Sequence, residues 1–167
     1  MESFLPEDYK LPTSSSYLKL TEGEHTFRVM SSAVVGYEYF TTENKPVRSK
    51  ESFNEIPNDI KTGGRILPFW AFIVWNCNEK KIQIMELTQK TIMQPIQVLV
   101  KNPKWGDPKS YDITITRKGM GLLDTEYSVM PNPHSDMPEE AKEAFMNKPI
   151  KLENLYLGED PFVGRRS

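Results

Sequence analysis

The chain has 167 residues, the length of one ordinary domain, and 38% of them are hydrophobic, enough to build a core. Its longest apolar run, Phe69 to Trp75, is far below the roughly 20 residues of a membrane helix, and its single cysteine, Cys77, excludes an internal disulfide and a cysteine-rich zinc site. The net charge of −2 is unevenly spread: residues 1–24 carry two basic and five acidic groups, residues 25–118 carry 14 and nine, and residues 119–167 carry five and nine, so a mildly basic middle lies between acidic ends.

Residues 1–23, with Pro6, Pro12 and the run Ser14-Ser15-Ser16, read as an arm before a domain over residues 24–147. The start, Met1-Glu2-Ser3-Phe4, has no basic stretch followed by an apolar one. No signal peptide is therefore expected, and a cytoplasmic protein is predicted. Residues 24–41 alternate in the strand period and predict one long bent strand, or two short ones joined at Ser31-Ser32. Gly36 inside it marks a bulge or bend. Residues 42–67 hold Pro46, Pro57 and Gly63-Gly64 and form a long connection, which in a small domain is often functional. Phe69–Asn76 and Lys81–Leu87 predict a β-hairpin around Cys77–Lys80, with Asn78 suited to positive φ. From Thr88 to Lys101 the period becomes helical, at Ile92, Ile96, Leu99 and Val100; Thr88 or Thr91 is the expected cap, and Pro95 the end or kink of a first turn. Tyr111–Arg117 and Thr125–Met130 alternate and predict two more strands. Residues 138–147 predict a short helix, with Pro138 at its start and acids in its first turn, and residues 148–167 read as a flexible C-terminal tail.

Strand, strand, strand, helix, strand, strand is the element order of the OB-fold. The expectation is therefore a mainly β, five-stranded Greek-key barrel with one helix between strands three and four and a short C-terminal helix. A β-sandwich with one helix is the competing architecture. In the barrel, residues 42–67 join strands one and two, where such folds commonly bind oligonucleotides.

The sequence offers no catalytic constellation. His25 and His134 are far apart, carboxylates are scattered, and Gly119-Met120-Gly121 lacks the strand-to-helix setting of a phosphate loop. A non-enzyme without cofactor or metal is expected. Aromatic residues do recur beside basic ones. Single-stranded nucleic acid needs both, cations for phosphates and flat rings for unpaired bases, each ring contributing about 1–3 kcal/mol. The candidate DNA-binding residues are Tyr39, Lys45, Arg48, Trp70, Phe72, Lys81, Gln83, Lys104, Arg117 and Lys118. The competing reading makes most of these rings core and the lysines merely solvated. An even hairpin loop would pair Trp75 with Ile82 and Ile73 with Ile84. With polar Lys81 and Gln83 taken as outward, Ile73 and Trp75 then point into the barrel and Trp70 and Phe72 form an outer platform. A slip of one residue would reverse this.

Four segments resemble small single-stranded DNA-binding proteins of tailed bacteriophages: Ser15-Ser16-Tyr17-Leu18-Lys19-Leu20, Phe69–Asn76, Lys81–Thr91 and Tyr111–Gly119, extended by Thr125–Pro131. The resemblance covers roughly residues 15–131. It implies an OB-fold and a role in phage DNA replication, recombination or repair in the host cytoplasm. Many proteins of this kind carry an acidic, partner-recruiting tail ending in an aromatic. Glu159-Asp160-Pro161-Phe162 is similar, although the chain continues through Val163-Gly164-Arg165-Arg166-Ser167. The function expected first is non-enzymatic, largely sequence-independent single-stranded DNA binding, with replication or recombination proteins as tail partners. The alternative is a β-barrel protein–protein interaction or assembly module that binds no nucleic acid. Oligomeric state is left open.

Overall fold

The computed structural model describes Phe4, residues 16–119, residue 121 and residues 123–163. The rest of the expected arm and residues 164–167 of the expected tail lie outside the described residues. The chain is mainly β. Among the described residues seven strands form one antiparallel sheet: β1 (Gly23–Val29), β2 (Val34–Phe40), β3 (Pro46–Ser49), β4 (Leu67–Asn76), β5 (Lys81–Leu87), β6 (Asp112–Lys118) and β7 (Glu126–Pro131). Helix α1 (Lys90–Lys101) joins β5 to β6, and α2 (Glu139–Met146) follows β7.

The chain breaks between β1 and β2 at Ser31-Ser32, one of the two forms expected. Met30 N–H donates to the Ile73 carbonyl and Ile73 N–H donates to Ser31 Oγ, so the break itself is hydrogen-bonded. β4 is long enough to serve both pieces: its C-terminal half pairs with β1 (Val29 opposite Val74) and its N-terminal half with β2 (Val34 opposite Ala71). The other edge of β4 pairs with β5, β6 extends the sheet from β1, and β7 ends it. Segment Ser16–Leu18 lies parallel on the free edge of β5, through Leu18 N–H to the Ile84 carbonyl and Ile84 N–H to the Ser16 carbonyl. β5 and β7 are not paired, and the sheet is not closed into a barrel.

The strand count exceeds five for two reasons: the break at Ser31-Ser32, and β3, a strand inside the connection 42–67 that the sequence gives no clear alternation for. Gly36 is not at a bulge. A Cβ there would meet the Ser49 carbonyl oxygen at 2.1 Å, so glycine is needed for the close approach of β3. At the hairpin turn the positive φ falls on Lys80. Asn78 is used differently, its side-chain oxygen accepting from Thr26 N–H.

The hairpin pairs as expected, Trp75 with Ile82 and Ile73 with Ile84, but the faces are the reverse of the expectation. Phe72, Val74, Met85 and Leu87 face the concave side, where Phe27, Val29, Ile113 and Ile115 meet Ile92, Met93 and Ile96 of α1. Phe69, Ala71, Ile73, Trp75, Ile82 and Ile84 face the convex side. The polar residues that marked an outer face are misleading. Gln83 is buried because its amide accepts from Asn76, and Lys81 is simply the first residue of its strand, paired with Glu79 at 3.0 Å.

The convex face is covered by the C-terminal region. Residues 148–163 are not a loose tail. A 3-10 helix, Leu152–Leu157, puts Leu152 and Leu155 on the same side of successive turns, and both are buried with Phe162 against the sheet. Lys151 N–H to the Pro161 carbonyl and the Asn154 amide to the Asp160 carbonyl close this segment on itself. The lead into α2 is anchored by Arg28, 1% exposed. Its guanidinium binds Asp112 at 2.7 Å and both the carbonyl and the hydroxyl of Ser135. Helix α1 starts at Gln89 without a side-chain cap, so neither Thr88 nor Thr91 serves, and it runs through Pro95. Pro95, the sixth of its twelve residues, withdraws the bond to the Thr91 carbonyl and crowds that oxygen, yet the helix continues for six more residues. Among the described residues no helix is long and apolar enough to cross a membrane.

Candidate functional site

α1 shields most of the concave core but not its ends. Near its C-terminal end a groove of about 740 Å³ opens between the helix, the β1–β2 break and β4. Trp70 and Phe72 of β4 lie along its floor, with Val29, Val35, Ile96 and Val100, while Lys101 and Lys109 stand at its rim. The strand register explains the grouping. Trp70 is directly opposite Val35, and the next pair on the same face sets Tyr37 opposite Pro68. Side chains two apart on one strand share a face. A stripe therefore runs from the half-buried Trp70 to Val35, 49% exposed, and Tyr37, 37% exposed. Phe72 is 4% exposed and rests on Phe27, so it shapes the floor and presents little of its ring. Asp107 is also on the rim, 3.8 Å from Lys109, and moderates its charge.

A second groove, of about 620 Å³, lies at the other end of α1, where the sheet stays open. Gln89, Thr91, Arg117, Thr125, Glu126 and Tyr127 line it. Arg117 and Tyr127 are cross-strand partners there. Arg117 Nη1 donates to the Leu20 carbonyl at 2.9 Å, and its buried Nε has no hydrogen-bond partner among the described residues.

The structure does not bring the other expected residues to these grooves. Arg48 lies on the convex side. It is held between Glu86 at 3.0 Å and Glu38 at 3.5 Å, with its guanidinium over Phe69. Tyr39 is buried; its hydroxyl donates to Asp59 and its ring meets Phe53 edge-on. Burial, and then the bond to Asp59, push that hydroxyl above the usual tyrosine range. Gln83 is in the core. Lys81 is at the far end of the hairpin, Lys45 is an exposed tip residue beside Glu43, Lys104 is exposed on the loop after α1, and Lys118 is exposed at the end of β6. Beside Lys104, Trp105 stacks on His134 with centroids 5.5 Å apart, and Tyr111 meets both edge-on.

The residues that sequence reading missed are Val35, Lys101 and Lys109. Tyr37 was legible, two positions from Tyr39 in an alternating segment, but the outward member of the pair is Tyr37, because Asp59 and Phe53 cover Tyr39. Lys101 and Lys109 flank the loop that carries Lys104-Trp105, and only the fold shows that the ends of this loop turn toward Trp70.

No group of three or more His, Cys, Asp or Glu among the described residues is placed to hold a metal ion. The single cysteine is a poor nucleophile. Burial first, and then the nearby Asp112 carboxylate, push the Cys77 thiol up to about 11. What the arrangement can do chemically is receive flat apolar groups on Trp70 and its neighbours while lysines meet negative charge at the rim. No family model, no curated protein and no solved structure matches the chain, so a functional reading stands on this geometry and on the sequence.

Proposed function

We propose that the chain is a non-enzymatic single-stranded DNA-binding protein, largely indifferent to sequence, that serves phage DNA replication, recombination or repair. The observation that carries the reading is the groove whose apolar floor holds Trp70 and whose rim holds Lys101 and Lys109. Unpaired bases can stack on an exposed ring because every base has a π-face, and the lysines can follow the phosphates. Duplex DNA hides its base faces, so single strands are preferred.

An OB-like architecture is part of the proposal. With β1 and β2 taken as one interrupted strand, the order becomes strand, strand (β4), strand (β5), helix, strand (β6), strand (β7), with the first strand between the second and the fourth. The pairing that would close such a barrel, β5 with β7, is not made. The N-terminal segment occupies the β5 edge instead.

The test is titration with fluorescent oligo-dT at two salt concentrations, with duplex of equal length as control. Affinity is expected to fall steeply with salt, by a slope of about −0.7 for each phosphate contact. The double change Lys101→Glu and Lys109→Glu is expected to weaken binding and flatten that slope. A flat response, or equal affinity for duplex, overturns the proposal. The second reading, a protein-interaction module, draws on the same groove, whose floor is mainly apolar, and on Val98, 67% exposed on α1. It takes over if DNA does not bind at all.

A further inference from the structure

We infer that the second groove is a phosphate subsite of the same DNA path, with Arg117 as its fixed cation; this rests on the single-stranded DNA reading. The first ground is charge balance. Arg28 and Arg48 each have a carboxylate within hydrogen-bond distance, whereas among the described residues Arg117 has no ion-pair partner and its one hydrogen bond goes to a backbone carbonyl. Anchored through Nη1, the guanidinium is held at the groove instead of swinging in solvent, and it keeps donors for an incoming anion. The second ground is what surrounds it. Gln89 and Thr91 supply neutral polar groups, while Thr125 donates its hydroxyl to the Gly121 carbonyl, and Tyr127 supplies an aromatic wall. The third is the start of α1, which opens on the same groove with no acid in its first turn and no side-chain cap. Within the helix itself no acid and no capping side chain meets its first N–H groups or the positive end of its dipole, the end that attracts an anion.

One residue opposes the assignment and makes it testable. Glu126 also borders the groove, one residue before Tyr127 and so on the other face of β7, directly opposite Lys118 in the β6–β7 register, with its charge within a few ångströms of the site through the strand. If a phosphate sits here, the carboxylate repels it. Charge changes of opposite sign at one groove should then move affinity in opposite directions. A merely structural role for Arg117 predicts no such pattern.

The two grooves lie at opposite ends of α1. Thr91 and Val100 are about 14 Å apart along its axis at 1.5 Å per residue. A strand stacked on Trp70 can thus reach Arg117 within a few nucleotides, inside the roughly 4–16 that one such domain contacts.

The experiment is oligo-dT titration and thermal melting of the full chain carrying Arg117→Gln, Thr91→Glu or Glu126→Gln, with Trp70→Ala as reference. Arg117→Gln is expected to weaken binding about tenfold and to lower the salt slope by close to one phosphate contact. Its loss of the Leu20 contact can also lower the melting temperature, so the other two variants decide. Both Thr91 and Glu126 are exposed. An acid in the first turn of a helix suits the helix, so Thr91→Glu is expected to melt no earlier than wild type yet bind at least fivefold more weakly. Glu126→Gln is expected to bind about threefold more tightly. If Thr91→Glu binds like wild type, or Glu126→Gln fails to tighten, while Trp70→Ala still weakens binding, the phosphate subsite is overturned and the DNA reading stands. If Trp70→Ala has no effect either, both fall.

Discussion

The β4–β5 hairpin carries large apolar side chains on both faces, and the protein covers the two in different ways. On the convex side, Ile73, Trp75, Ile82 and Ile84 lie beneath Ala141, Leu152, Leu155 and Phe162, and the cover continues through residue 162. On the concave side α1 supplies Ile92, Met93 and Ile96, but it is one helix over a wide curved sheet and leaves a groove at each end. A single helix leaves its flanks open because its apolar stripe is only about 100° wide. The lesson is about where a functional surface can be. Trp75 and Trp70 stand five residues apart in one strand, yet one is sealed into a core and the other is left half-open beside lysines.

The harshest way to break this comparison is to remove the convex cover. Deleting residues 148–167 strips off Leu152, Leu155 and Phe162, each of whose burial contributes about 1.5–3 kcal/mol. Together they approach the 5–15 kcal/mol that hold an ordinary domain folded. The truncated chain is expected to melt far earlier or to aggregate, as differential scanning calorimetry and light scattering would show. A truncated chain that melts like wild type would mean that the C-terminal segment rests on the sheet without stabilising it.

A smaller cut separates the two tryptophans. Trp75→Ala opens a cavity in the sealed face and is expected to destabilise by about 3–5 kcal/mol, with DNA affinity unchanged in the folded fraction. Trp70→Ala is expected to lower affinity for oligo-dT by about 1–3 kcal/mol with a much smaller effect on melting. Reversed outcomes would place the open surface on the convex side.

The pairing of the hairpin was legible because Ile82 and Ile84 alternate with polar residues, and α1 was legible from Ile92 and Ile96. Which face of the hairpin looks inward was not. Phe69 to Trp75 is apolar at every position, and a strand covered on both sides has no alternation to read. The polar cue came from Gln83, whose burial depends on Asn76 across the hairpin, a partner no local pattern shows. The C-terminal cover was missed because Leu152 and Leu155 repeat at three, the period of a 3-10 helix, in a segment too short to reveal it. At the candidate site, the rings of Trp70 and Tyr37 were visible in the sequence, but Arg48 read as a free cation. Its carboxylates are 10 and 38 residues away and reach it only through the sheet.

That same Arg48 supplies the finest probe of the sealed face. Glu38, Arg48 and Glu86 sit together on the convex side, two carboxylates sharing one guanidinium, and the Glu38 side chain is 5% exposed. Burial raises the Glu38 carboxyl above the usual glutamate range; Arg48 pulls it back only in part, and Glu86 pushes it further up. A carboxyl whose folded value is raised adds stability in its protonated form. That stability is complete below the unfolded value and is lost as pH rises through the folded one. As pH rises, wild type therefore ionises Glu38 in its buried place at a growing cost, while Arg48 still has Glu86. Glu38→Gln removes the cost without stranding the arginine. The variant is expected to melt a few degrees above wild type at pH 7, taking about 2–4 °C per kcal/mol for a chain of this size. The gap should close as pH falls below the ordinary glutamate range, where both side chains are neutral. Melting curves from pH 4 to pH 8 provide the check. A variant that melts below wild type at pH 7 and matches it at pH 4 would mean that the attraction of Glu38 to Arg48 outweighs its burial.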